Sequence, residues 1–222
     1  MKKILVLGDS HSLVWKYIQK NRLMPGYKFY TKAVHGATSQ GVNNPNSKTN
    51  SLNLFEQAIQ NNQNLDYVIV MLGEVDCGFT IWYYAENYNT PINEQLQRSV
   101  LSYEKFLNEQ ILKYYKKEQV ILLGSILPTI QDQTNRKLLK GARSKVNTPL
   151  SKRTDLTIEY NNMIKEIARQ NKMLYTDITN TIYDNNTKSV KKEFLHKKEF
   201  NHHLDNAASA PVWIKALSSI IK

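Results

Sequence analysis

Residues 4–12 run Ile4-Leu5-Val6-Leu7-Gly8-Asp9-Ser10-His11-Ser12: four apolar residues, then at once a glycine, an acid, two hydroxyls and an imidazole. The apolar run follows Lys2 and Lys3 but is too short for the hydrophobic segment of a secretion signal. Its length suits a buried strand. A turn after that strand needs only the glycine and the aspartate. Ser10 and His11 therefore point either to chemistry or to a plain helix cap, since a serine at a helix start can satisfy unpaired backbone N–H groups.

Working outward, four more short apolar runs predict strands at 29–34, 67–72, 119–123 and 173–176. Continuous rather than alternating apolar residues are what a sheet covered on both faces produces. Helical patterns fall between them, at 13–21, 52–61, 93–117, 155–171 and 207–221. In the longest, Leu96, Val100, Tyr103, Leu107, Ile111 and Tyr114 recur at three- and four-residue spacing, which marks one apolar face. Asp155 and Asp205 are predicted N-caps. Strand and helix alternate throughout, so the expected fold is α/β, a three-layer α/β/α sandwich with a mostly parallel five-stranded sheet. A single domain over 1–222 is expected.

In such a sheet ligands bind beyond the carboxyl ends of the strands. Polar residues collect there in this sequence. The first strand is followed by Gly8–Ser12, the second by His35-Gly36-Ala37-Thr38-Ser39-Gln40-Gly41, and the third by Gly73-Glu74-Val75-Asp76-Cys77-Gly78. Gly124–Thr129 follows the fourth, and Phe200-Asn201-His202-His203-Leu204-Asp205 precedes the last helix.

Bulk properties narrow the function. With 222 residues, 41% hydrophobic and 10% aromatic, the chain can build a core. Its one cysteine, Cys77, excludes an internal disulfide and a cysteine zinc site. A cytoplasmic location is expected. The stretch at 207–221 is broken by Ser209, Pro211 and Lys215, so no membrane span is expected. The net charge is +11, and residues 136–198 carry 15 Lys/Arg against 6 Asp/Glu. This admits an anionic glycan as partner. Nucleic acid is not expected, for want of basic-aromatic interleaving or a recognisable module.

Together, GDSHS after the first strand, HGATS after the second, G-x-x-D after the third and HHL before the last helix resemble the SGNH/GDSL hydrolase superfamily over nearly the whole chain. The segment LGEVDC looks like a GEIDC-type branch often found beside surface-polysaccharide genes. The resemblance implies the flavodoxin-like SGNH fold and serine esterase chemistry. It makes Ser10 the nucleophile, with its backbone N–H and that of Gly36 forming an oxyanion hole. His203, followed by Leu204, becomes the general base. Asp9, Glu74 and Asp76 would line the site, Asp76 by holding its loop.

Two positions depart from the family pattern. Val75 stands where an oxyanion asparagine is expected and cannot donate a hydrogen bond. Phe200 stands three residues before His203, where an acid is expected. Glu199 lies three before His202. Either His202 is the base with Glu199 behind it, or His203 works with Glu199 one residue out of register, or a Ser-His dyad operates. His11 is set aside as the base because adjacent residues at a helix start diverge.

No metal and no cofactor is expected, since the His202-His203 pair lacks zincin spacing and no phosphate-cradling loop is present. Trp82, Tyr83 and Tyr84 are candidates for stacking on sugars or for packing. Residues 136–153, with Lys140, Arg143 and Lys145, are candidates for a flap. The expected function is removal or transfer of an O-acyl group on a carbohydrate or other small ester. The alternatives are a catalytically impaired SGNH fold that binds or helps assemble a glycan, and a basic nucleic-acid or anionic-polymer binder.

Overall fold

The computed structural model describes residues 1–139 and 141–221. In chain order the elements are β1 (Lys2–Gly8), α1 (Leu13–Lys20), β2 (Tyr27–Ala33), α2 (Ser51–Gln60) and β3 (Tyr67–Met71). Next come α3 (Ile81–Tyr88), α4 (Ile92–Phe106), β4 (Val120–Leu123), α5 (Leu150–Asn171) and β5 (Leu174–Thr176). A short α6 (Thr179–Ile182), a hairpin of β6 (Tyr183–Asp184) and β7 (Ser189–Val190), and α7 (Asn206–Ser218) complete the chain.

The five main strands form one sheet in the order β2-β1-β3-β4-β5. Every neighbouring pair is parallel. Alternate residues of β1 serve opposite faces, as the strand period of two requires. Leu5 and Leu7 pack with Phe55 of α2, Phe106 of α4 and Tyr160 of α5. Ile4 and Val6 pack with Trp15 of α1 and Trp213 of α7. Val68 and Val70 of β3 join the first cluster and Ile69 and Met71 the second. The molecule is therefore a three-layer α/β/α sandwich.

This order also creates the crevice. From β1 the chain passes to β2 on one side, then returns to place β3 on the other. That reversal is a topological switch point, where the loops beyond two central strands splay apart. The loop carrying Ser10 and the loop carrying Glu74 border it.

Several element boundaries differ from the periodic pattern. The helix expected over 93–117 ends as α4 at Phe106, and a π-helical turn at Leu107–Ile111 takes up the continuing apolar stripe. The helix expected from Asp155 begins at Leu150, after Pro149, so Asp155 lies within α5 and caps nothing. Proline favours the end of an extended segment leading into a helix, and it overrides the weaker aspartate signal. Asp205 does cap α7, accepting from the backbone N–H groups of Ala207 and Ala208. The stretch at 79–84 had no predicted element and forms a π turn running into α3. The β6–β7 hairpin and α6 were likewise unmarked by periodicity.

Candidate active site

The first strand ends in a short helical turn at Ser10–Ser12. Asp9 caps it by accepting from the His11 backbone N–H at 2.8 Å. The Ser12 hydroxyl closes the turn by donating to the Asp9 carbonyl at 2.7 Å. These two local bonds free Ser10 from capping duty. Its Oγ instead lies 2.8 Å from Nε2 of His203, which arrives from the loop before α7.

The proton positions in this pair follow from its surroundings. Oδ1 of Asn201 accepts the His203 backbone N–H at 3.0 Å. A backbone N–H can only donate, so the amide oxygen must face it. The same oxygen lies 2.8 Å from Nδ1 of His203. Nδ1 therefore carries the hydrogen, Nε2 carries the lone pair, and the Ser10 hydroxyl donates to it. Burial, with His11 and His202 close by, pushes the His203 imidazole down to about 3. The ring is neutral and able to accept a proton at neutral pH.

His11 is occupied elsewhere. Its Nε2 meets Oε2 of Glu74 at 2.8 Å, with both side chains buried. Burial alone favours the neutral forms of both. Their mutual attraction outweighs it, raising the His11 imidazole and holding Glu74 down at about 2. Arg143 adds positive charge, its Nη2 lying 3.9 Å from the same Glu74 oxygen and its guanidinium over the Phe79 ring. A buried charge needs such partners, because removing either one leaves the other stranded.

Asp76 performs a different task. Its carboxylate accepts the backbone N–H of Ser39 at 2.7 Å, that of Gln40 at 3.0 Å and the Ser99 hydroxyl at 3.2 Å. It thus ties the loop after β2 to the loop after β3. Burial pushes this carboxyl up to about 6, although the three donors pull the other way. Asp9 is pushed to about 6 for the same first reason. In the tied loop Gly36 has φ of +74°, a conformation that favours glycine. An added Cβ there would meet only an ordinary contact with Thr49 at 3.6 Å, so the need is for backbone conformation, not space. Gly73, just after β3, has φ of +125°, and an added Cβ would come within 2.3 Å of the Tyr160 ring. Tyr160 bonds to Ser39 at 2.6 Å and donates to the Leu72 carbonyl at 3.2 Å, which joins α5 to both loops.

Beside Ser10 and His203 is a cavity of about 160 Å³, with Val14, Ile126 and Trp213 among its apolar walls.

Solved structures share this architecture. The chain aligns with an acetyl xylan esterase at TM-score 0.58 and 16% identity, over 99% of this chain and 100% of that one. It aligns with a GDSL-like lipase from Bacteroides thetaiotaomicron at TM-score 0.61 and 14% identity, over 98% and 86%. The chain has the SGNH/GDSL hydrolase fold. A third match is Axe2, an acetylxylan esterase from Geobacillus stearothermophilus, at TM-score 0.57 and 15% identity, over 99% and 93%. No protein-family model and no curated protein matches the sequence.

Within the SGNH frame the residues singled out from sequence fall into two groups. Ser10, His203, His202, Asp9, Glu74 and Asp76 gather at the switch point. Glu199 does not: it is exposed, and the atom behind His203 is the amide oxygen of Asn201. A side chain two residues before a loop histidine reaches back to it in a tight turn, whereas Glu199 falls on the outer side. His202 makes no bond to Ser10; its ring packs on that of His203 with centroids 4.1 Å apart. Phe200 is 43% exposed, and its side chain has no group that could orient an imidazole. Val75 is buried, with a side chain that has no donor to offer.

The remaining candidates are largely structural. Cys77 is fully buried and its thiol is pushed well up by burial. Trp82 is buried and donates from its indole to the Cys77 carbonyl at 2.7 Å. Tyr83 and Tyr84 form a surface cluster with Tyr88. The basic segment is not one open flap: Arg153 is buried in α5 and donates to the Ile130 carbonyl at 2.8 Å. Arg143 reaches Glu74 at the site, while Lys145 stands over the Tyr83 ring. Lys140 lies outside the described residues. His35 is exposed. Among the described residues, no helix is long and apolar enough to cross a membrane.

Proposed function

We propose that this protein is a serine esterase of the SGNH type that removes a short O-acyl group from a carbohydrate or another small alcohol through an acyl-Ser10 intermediate. The observation that carries the reading is the Ser10 Oγ to His203 Nε2 contact of 2.8 Å, with Nδ1 anchored on Asn201.

In this mechanism Ser10 Oγ attacks the acyl carbonyl carbon while His203 Nε2 takes the hydroxyl proton. The resulting imidazolium keeps its Nδ1–H on Asn201. The carbonyl oxygen becomes an oxyanion, met by the backbone N–H groups of Ser10 and Gly36, each worth about 3 kcal/mol in the transition state. Collapse breaks the ester C–O bond, and His203 returns the proton to the departing alkoxide. Water repeats the cycle to release the carboxylic acid and free Ser10. A sugar hydroxyl that outcompetes water at this step makes the same machinery an acyltransferase.

An asparagine behind the base fails where its NH2 group turns to the imidazole and fixes the wrong tautomer. Here the His203 backbone N–H holds the amide oxygen toward the ring. Asn201 therefore orients the histidine without neutralising the imidazolium. The small cavity beside Ser10 suits an acetyl-sized acyl group. A carbohydrate alcohol is favoured by the LGEVDC resemblance and by the likeness to acetyl xylan esterases.

Hydrolysis of p-nitrophenyl acetate by wild type and Ser10→Ala tests the reading. A loss of about 10³-fold or more in the variant is expected. Equal, low rates for the two proteins would overturn it and leave the fold as a binding scaffold.

A further inference from the structure

The fold assembles three imidazoles that the chain keeps far apart. His11 follows β1, and His202 and His203 precede α7. A ring nitrogen from each lies within 4.8 Å of the others. The ring centroids of His11 lie 5.3 Å from those of His202 and 4.6 Å from those of His203.

Two of these rings are oriented from behind. His11 is held through Nε2 by the Glu74 carboxylate, and His203 through Nδ1 by Asn201. The remaining nitrogen of His11, Nδ1, is buried and has no hydrogen-bond partner among the described residues. The His11 residue is only 6% exposed. His202 makes no hydrogen bond among the described residues. An imidazole fixed on one side by a carboxylate or amide oxygen, with its other nitrogen unpartnered, is how proteins prepare a histidine for a metal, which displaces that nitrogen's proton on binding. Ester chemistry by Ser10 and His203 gives no use for a bare, buried nitrogen on His11.

We infer that this cluster binds a divalent transition-metal ion of the Zn2+ class through one ring nitrogen each of His11, His202 and His203, with Glu74 as the supporting carboxylate. Imidazole ligands select such borderline ions over Mg2+ and Ca2+, which take oxygen. Zinc–nitrogen bonds of about 2.0–2.1 Å require the three nitrogens to draw closer together than they now stand. The half-buried His202 and His203 lie on a loop that can supply that movement. A water or the Ser10 hydroxyl would complete a tetrahedron. Metal binding and acyl transfer compete, because both need the Nε2 lone pair of His203. This last consequence rests on the proposed esterase reading; the binding site itself does not.

Calorimetric titration of the metal-free full chain with zinc chloride at neutral pH tests the site. One saturable equivalent is expected. His202→Asn, in a side chain with no bonds among the described residues to lose, should weaken binding by about tenfold or more, and Glu74→Gln by about 10–100-fold. Glu109→Gln, in an exposed residue after α4 that pairs with Lys105, should leave binding unchanged, and Ser10→Ala should still bind with water in place of its hydroxyl.

Absence of saturable binding, or binding that His202→Asn leaves intact, would overturn the inference. A protein that lacks esterase activity yet binds zinc in this pattern supports the metal site and refutes the esterase reading. In an active enzyme, zinc should inhibit hydrolysis with a midpoint near its dissociation constant. Binding without inhibition would contradict His203 as a ligand.

Discussion

Asn201 Oδ1 lies 2.8 Å from His203 Nδ1, in the place where an SGNH-type site is expected to keep a carboxylate. The substitution preserves orientation and gives up charge. Asn201→Ala should therefore lower kcat by about 10²-fold, as loss of a base's orientation does. Asn201→Asp should place a negative charge against the imidazole and raise its pKa by about 1–3 units. The acid limb of the kcat/KM profile should then move to higher pH. Glu199→Gln should leave the profile unchanged, as Glu199 is exposed. Steady-state hydrolysis of p-nitrophenyl acetate across pH checks all three.

The pH dependence of the wild type follows from the depressed His203. Only the neutral ring can accept the Ser10 proton. Its imidazole is pushed down to about 3 by burial and by neighbouring histidines, so the base itself should stay competent from neutral pH down toward that value. Any earlier fall in activity should come from Asp76, whose carboxyl is pushed up to about 6 and whose protonation loosens the loop carrying Gly36. An NMR titration of the His203 ring reads the base alone. A midpoint of that titration near the ordinary histidine value of about 6.5 would show an exposed or carboxylate-paired base instead. Circular dichroism at each pH separates titration from acid unfolding.

Val75 leaves the proposed oxyanion hole with two backbone donors. If the missing third donor limits the rate, Val75→Asn should raise kcat by about tenfold or more, since one donor is worth about 10²–10³-fold in a well-ordered hole. A buried amide left partly unsatisfied should cost about 1–3 kcal/mol in stability. Comparing kcat with the denaturant midpoint of the same protein separates the two effects.

Asp76 is expected to act on stability and on loop position together. Its two oxygens accept from Ser39, Gln40 and Ser99. In Asp76→Asn, one of those acceptor positions becomes an NH2 group facing another donor. Urea unfolding should show a loss of about 2 kcal/mol. The released loop carries Gly36, so kcat should fall as well.

Much of the architecture was legible because it rests on burial. Strands covered on both faces leave continuous apolar runs, and those around Leu5, Ile69 and Leu122 gave both the strands and their parallel arrangement. GDSHS marked Ser10 because it stands at the end of an apolar run, where a polar cluster is conspicuous, whereas His203 was marked by the family resemblance of HHL before the last helix. Asn201 was illegible for a local reason. Its role depends on a two-residue turn, and an asparagine before two histidines looks like ordinary loop composition. The His11–Glu74 pair was hidden differently: it joins two loops that only the β1–β3 pairing brings together. Arg143 was marked as one of several flap cations, and nothing in the sequence distinguished it from Lys145. The start of α5 lies earlier than expected because Asp155 looks like a cap, while the helix-entry signal is Pro149.

The central claim, that Ser10 is a nucleophile activated by His203, is tested most directly by covalent labelling. Wild type, Ser10→Ala and His203→Ala are treated with a fluorophosphonate, and the modified residue is located by peptide mass spectrometry. The account predicts one adduct on Ser10 in the wild type, none in Ser10→Ala, and labelling slowed by about 10²-fold or more in His203→Ala. An unlabelled wild type, or equal labelling of the wild type and His203→Ala, would contradict it.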